Sequence, residues 1–161
     1  MTRIKSLEQL IEIYGEPSET AIVKVASEIT DDYRQLIEAS PFLTLATSGQ
    51  NGLDCSPRGD RPGFVRIVDK HTLHIPDRRG NNRIDSLRNI VFNPDIALLF
   101  FLPGCGVTLR VSAESHISID PTILNSFAVN ESSPRSIIVA RVKRIFFQCG
   151  RAILRSEIWN P

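Results

Sequence analysis

Cysteine is scarce in this 161-residue chain: Cys55, Cys105 and Cys149 are odd in number, widely spaced, and form no Cys-x-x-Cys pair. That pattern supplies neither a disulfide framework nor a zinc or dithiol motif, and it fits a reducing cytoplasm. Aromatic residues make up only 7%, with a single Trp, and Lys+Arg 19 against Asp+Glu 18 leaves a formal charge of +1. Without a basic field or stacking platforms, nucleic acid and anionic membrane are not expected partners. No apolar run is long enough to span a bilayer, and the stretch from Met1 to Glu8 has no apolar signal core. A Walker-type Gly-Lys-Ser/Thr is absent, and Gly104-Cys-Gly-Val-Thr-Leu109 lacks the third glycine of a dinucleotide fingerprint. The histidines offer no metal set, since His71 and His74 would point to opposite faces of a strand and His116 stands alone. No thiol has a local base to make it a nucleophile, and no metal site is expected.

What is there begins with helices. Ser6 to Gln9 is a capping box, with Leu7, Leu10, Ile11 and Tyr14 at helical spacing until Gly15. Ser18 can cap a second helix through Ile29, and Thr30, followed by two aspartates, a third through Ala39. Their apolar faces need a partner, so they are expected to pack on the outside of a sheet. From Pro41 the grammar changes to strands over residues 42–47, 53–56, 64–68 and 72–75, with Gly49-Gln-Asn-Gly52 a hairpin signal. A helix over 84–92 stops at Asn93-Pro94, and the apolar run 96–102 reads as a strand buried on both faces. Residues 107–119 alternate apolar and polar, 120–128 form a Pro-started helix, 136–147 a final strand and 149–159 a closing helix. Strands in sequence joined by turns favour a mainly β, antiparallel barrel with flanking helices over a doubly wound parallel fold. The expected organisation is one domain over 1–161, with 1–40 a helical extension and 41–161 the barrel core.

The chemistry concentrates between Ile75 and Pro94. Arg78, Arg79 and Arg83 surround Gly80-Asn81-Asn82, immediately before a helix whose cap would be an Asn. Free N–H groups, the positive helix end and arginine forks together suit an anion, in particular a phosphate. Ser56-Pro-Arg-Gly-Asp60 places Arg58 and Asp60 on an expected turn, with Gly59 permitting close approach of a ligand. Arg110 lies on the polar face of its strand, and Arg155 and Trp159, four apart, would share a helix face.

Ser56-Pro-Arg-Gly-Asp60, Pro62-Gly-Phe-Val65, the long stretch 75–87, Asn93-Pro94, Leu109-Arg-Val111 and Arg155-Ser-Glu-Ile-Trp159 together resemble the pyridoxamine 5′-phosphate oxidase-like FMN-binding proteins, within a subgroup of unassigned substrate. The resemblance implies a split β-barrel homodimer with FMN in a groove between the subunits. By matching position, Arg78, Asn82 and Arg83 would hold the FMN phosphate, with Arg79 beside them. Ile75 and Pro76 would lie along the groove, and Arg58, Gly59 and Asp60 would border the flavin ring. Thr108 and Arg110 would face the cofactor, and Arg155 with Trp159 would reach the flavin from the C-terminus. Two departures fall on the substrate side. Ser112-Ala113 stands where relatives have Asn-Gly, and Gln148-Cys-Gly-Arg151 where they have His-Cys-Ala-Lys. The resemblance implies an FMN-dependent oxidoreductase acting on an unidentified small molecule, with no catalytic base assignable. The alternative is a module that binds or senses a flavin or another phosphorylated ligand without turnover.

Overall fold

A computed structural model of the chain describes residues 3–160. Three helices lead: α1 (Leu7–Tyr14), α2 (Glu19–Val23) and α3 (Asp31–Ala39). Then follow β1 (Phe42–Gly49), β2 (Gly52–Gly59), β3 (Arg66–Ile67), β4 (Thr72–Asp77), α4 (Asp85–Phe92), β5 (Asp95–Phe101), β6 (Thr108–Ser118), α5 (Pro121–Ser126), β7 (Ser136–Gln148) and α6 (Arg151–Ser156). The strands make one seven-stranded sheet in the order β2-β1-β5-β6-β7-β4-β3, all pairings antiparallel. The sheet does not close on itself by backbone pairing: β2 and β3 are its edges.

Alternation builds the core. Leu43 and Leu45, Ile96, Leu98 and Phe100, Leu109 and Val111, and Leu73 and Ile75 all turn to one side, and all are buried. Ile29, Tyr33 and Ile37 extend the same core from the N-terminal region. Thr30 caps α3 by accepting from the Tyr33 N–H, and the Tyr33 hydroxyl donates to the Lys24 carbonyl. The expected packing of the helices against the barrel thus holds for α3 but not for α1, none of whose residues is buried. The second helix is much shorter than expected, because Ala26 forms a β-bridge with Ile145 and the chain must straighten before it.

Other boundaries also differ. The strand expected over 53–56 runs on to Gly59, so Arg58 and Gly59 sit in β2 rather than on a turn. Pro57 is tolerated there because β2 is an edge strand. The strand expected over 64–68 shrinks to Arg66–Ile67, and α6 ends at Ser156, leaving Trp159 beyond the helix rather than on a face shared with Arg155. The run 96–102 is not buried on both faces: Ile96, Leu98 and Phe100 are interior, while Ala97, Leu99 and Phe101 face outward with partial exposure. Packing of α4 on β1 is fixed by two side-chain bonds, from Asn89 Nδ2 to Thr47 Oγ1 (3.0 Å) and from Asn93 Nδ2 to Ser48 Oγ (2.7 Å). These bonds set where the first turn of α4 points.

Candidate functional site

The ends of β2 and β4, the loop between β4 and α4, the first turn of α4 and the start of β7 line a cleft of about 450 Å³. Five arginines line it, Arg58, Arg78, Arg79, Arg83 and Arg135, against three aspartates, Asp54, Asp77 and Asp85, a surplus of two among the lining residues that falls to one when Asp60, the partner of Arg78, is counted. The sequence-predicted Arg78, Arg79, Asn82 and Arg83 are therefore brought together with Arg58.

Most of these cations are held in place by neighbours. Arg58 Nη1 pairs with Asp77 Oδ1 at 2.8 Å, and Arg78 donates from Nε to Asp60 Oδ2 (3.1 Å) and from Nη1 to the Phe127 carbonyl (2.9 Å). Arg83 Nε pairs with Asp85 Oδ2 at 2.9 Å. Arg135 Nη1 donates to Asn82 Oδ1 at 3.0 Å. Arg79 is exposed and makes no ion pair or hydrogen bond among the described residues. Arg58 Nε is buried with no partner among the described residues, a donor whose hydrogen-bonding capacity is unspent. At the cleft wall, the Asp54 carboxylate accepts from the hydroxyls of Ser56 and Ser86, each at 2.9 Å.

The loop is strained as well as charged. Asn82 and Ile84 adopt left-handed φ values of 60° and 52°, and for a β-branched residue such as Ile84 this conformation is costly. Ile84, not an Asn, occupies the N-cap position of α4, and no side chain caps that turn. Asn81 Oδ1 instead accepts from the Arg83 N–H (3.1 Å). The expected asparagine cap is thus corrected, and the uncapped first turn, Asp85 to Leu87, lines the cleft with its positive dipole end.

The remaining expected site residues lie elsewhere. Ile75 is fully buried and Pro76 is buried, so their side chains support β4 rather than line the cleft. A Cβ at Gly59 would meet the Phe42 ring at 3.2 Å, which accounts for that glycine by packing. Asp60 acts through Arg78. Thr108 and Arg110 line a separate trough of about 510 Å³ on the outer sheet face, with Arg110 lying 5.3 Å from the Phe146 ring centroid. Trp159 Nε1 donates to the Cys105 carbonyl at 2.9 Å, and neither it nor Arg155 lines the arginine cleft. Sequence reasoning missed Arg135, Asp77, Asp54 and Ser86. Arg135 follows Ser-Ser-Pro in a loop far along the chain, and only the pairing of β4 with β7 reveals its place. Asp54 and Ser86 gave no signal beyond their residue types.

Comparison with known proteins bears on this geometry. The family model described as pyridoxamine 5′-phosphate oxidase matches residues 29–149. No curated protein matches the chain. Among solved structures, HupZ of Group A Streptococcus superposes with a TM-score of 0.62 at 18% identity, over 75% of this chain and 94% of that one. A Clostridium acetobutylicum protein related to general stress protein 26, of the pyridoxinephosphate oxidase family, gives 0.54 at 13% identity, over 73% and 86%. An FMN-binding protein from Syntrophomonas wolfei gives 0.52 at 11% identity, over 88% and 95%. At such identities the likeness is one of fold.

Proposed function

This chain belongs to the pyridoxamine 5′-phosphate oxidase family, and we propose that it is an FMN-binding flavoprotein, an oxidoreductase acting on a small molecule in the cytoplasm as a homodimer. The observation that carries the reading is the cleft's five arginines, in excess over the carboxylates around them, beside an uncapped helix N-terminus. A phosphate monoester carries about −1.5 to −2 at neutral pH, and it meets a surplus of one fixed positive charge once the Asp60 partner of Arg78 is counted, supplemented by the positive end of the uncapped helix.

In this reading Arg78, Arg79, Arg83 and Arg135 hold the phosphate, Asn82 orients Arg135, and the N–H groups of the first turn of α4 add their dipole. Arg58, on β2, borders the ring, with Gly59 and Asp60 shaping the strand end behind it. Its unspent Nε donor is available to an acceptor once the side chain shifts from its present buried position. Thr108 and Arg110, and Arg155 with Trp159, lie outside this cleft and would serve a cofactor held by the second subunit. The flavin supplies the redox chemistry when bound; the chain contributes anchoring, orientation and donors near the ring. The FMN-binding neighbour from Syntrophomonas wolfei supports the choice of cofactor.

The test is to load the purified protein with FMN and follow the flavin band on anaerobic addition of nicotinamide cofactors and other electron donors. Reduction followed by turnover with an acceptor is expected. A tightly held flavin inert to every donor would overturn the oxidoreductase reading and leave a binding or sensing module.

A further inference from the structure

Arg66 lies on the edge strand β3, outside the arginine cleft, and has no carboxylate partner among the described residues. Its guanidinium is committed instead to the end of α5 and the residue after it. Nη1 donates to the Ser126 hydroxyl (2.9 Å), Nη2 to the Ser126 carbonyl (2.6 Å), and the planar group stands 3.8 Å from the centroid of the Phe127 ring. A flat fork that stacks and donates twice at once fixes its target in a way a lysine ammonium does not. The Phe127 side chain it covers is buried.

Phe127 is also where this segment meets the cleft. Its carbonyl accepts from Arg78 Nη1 at 2.9 Å, while Asp60 holds Arg78 Nε at 3.1 Å. Held at these two points, Arg78 keeps Nη2 unspent among the described residues, a donor for a ligand oxygen. The far end of the same connection, residues 127–135, is tied down as well: the Arg135 N–H donates to the Asp77 carbonyl (3.3 Å) and Arg135 Nη1 to Asn82 Oδ1 (3.0 Å). Between the ends, Val129 and Ser132 exchange two backbone hydrogen bonds of 3.0 Å across left-handed Asn130 and Glu131, a tight two-residue turn. The connection is a short strap on the arginine loop, and Arg66 grips it at its root.

We propose that Arg66 is a positioning residue for the anion cleft: it fixes Phe127, whose carbonyl aims Arg78 at the phosphate. A long, rotamer-rich arginine binds an anion more tightly when its orientation is set beforehand, because less freedom is lost on contact. Removing the grip leaves every charge of the cleft in place and loosens one of them. The inference rests on the phosphate-binding role of Arg78 in the proposed function and adds what holds that side chain ready.

Calorimetric titration of the full chain with FMN and with riboflavin tests it, on the wild type, Arg66→Ala, Arg66→Lys, Arg78→Ala and Arg66→Ala/Arg78→Ala. Arg66→Ala is expected to weaken FMN binding about tenfold and riboflavin binding by less than about twofold. Arg66→Lys keeps the charge but not the fork, so it is expected to lose most of the same preference for FMN. In the Arg78→Ala background the Arg66 change is expected to weaken FMN by less than about twofold, since the residue it acts through is gone. A merely structural role would move both ligands alike and in both backgrounds. FMN affinity untouched by Arg66→Ala, lost equally with that for riboflavin, kept in full by Arg66→Lys, or lost to the same extent without Arg78 overturns the positioning role and leaves the FMN reading intact. A wild type that binds FMN no more tightly than riboflavin overturns the phosphate reading itself and the positioning role with it.

Discussion

Arg58 Nη1 donates to Asp77 Oδ1 across 2.8 Å and so joins β2 to β4, strands five places apart in the sheet order. The pair closes by side chains the seam that backbone pairing leaves open, and the cleft lies along that seam. Both side chains are mostly covered, at 22% and 14% exposure. Removing one partner leaves the other charge unsatisfied in a confined place. Arg58→Ala or Asp77→Ala is expected to lower stability by about 1–3 kcal/mol, and the double variant by less than the sum, since the second change removes the orphan charge. Urea denaturation of the four proteins measures this, and simple additivity would contradict the seam.

Ile84 is the least comfortable residue of the anion loop, left-handed at φ 52° with a β-branched side chain that is 45% exposed. Ile84→Asn is expected to relieve about 1 kcal/mol of strain, raising the melting temperature by roughly 2–4 °C. A lower melting temperature would show that the exposed isoleucine contributes packing that outweighs its backbone.

His74 faces Arg66 on the adjoining strand and His116 two strands away, and its pKa is held below the ordinary 6.5, first by desolvation, then by His116 and Arg66; Asp69 pulls the other way. The folded chain therefore takes up this proton later than the unfolded one. The stability from neutral His74 is present above the unfolded value and is lost as pH falls through it towards the folded one. His74→Gln is expected to flatten the fall in urea midpoint between about pH 7.5 and 5. An NMR titration placing His74 at or above its ordinary value would contradict this.

Local chemistry made much of this fold legible. Alternation at Leu109, Val111 and Ala113, the Asn93-Pro94 stop, the Thr30 cap and the proline start of α5 at Pro121 all appear where the residues demand them. The arginine loop was legible because its residues are contiguous. What escaped depends on the third dimension. Arg135 joins the cleft through strand pairing, and Asp54 through a hydroxyl on a distant helix. The β5 run read as doubly buried because its composition is apolar throughout, whereas one chain covers only its inner side.

The cleft's electrostatics predict the effect of single arginines. Arg83→Ala and Arg135→Ala are each expected to weaken FMN binding by about 1.5–3 kcal/mol, the worth of a charge-assisted contact, with the fold unchanged by circular dichroism. Asp54→Asn removes one of three negative charges while keeping an acceptor for Ser56 and Ser86, and should tighten phosphate binding roughly threefold. Calorimetry on the three variants reads both signs; weaker binding in Asp54→Asn would show that the carboxylate itself organises the site.

The most direct test of the central claim compares FMN with riboflavin, which lacks only the phosphate, by titration against the wild-type protein. An arginine cleft that anchors phosphate predicts FMN tighter by about a hundredfold or more, from two or more charge-assisted contacts. Equal affinities, or no binding of either, would contradict it.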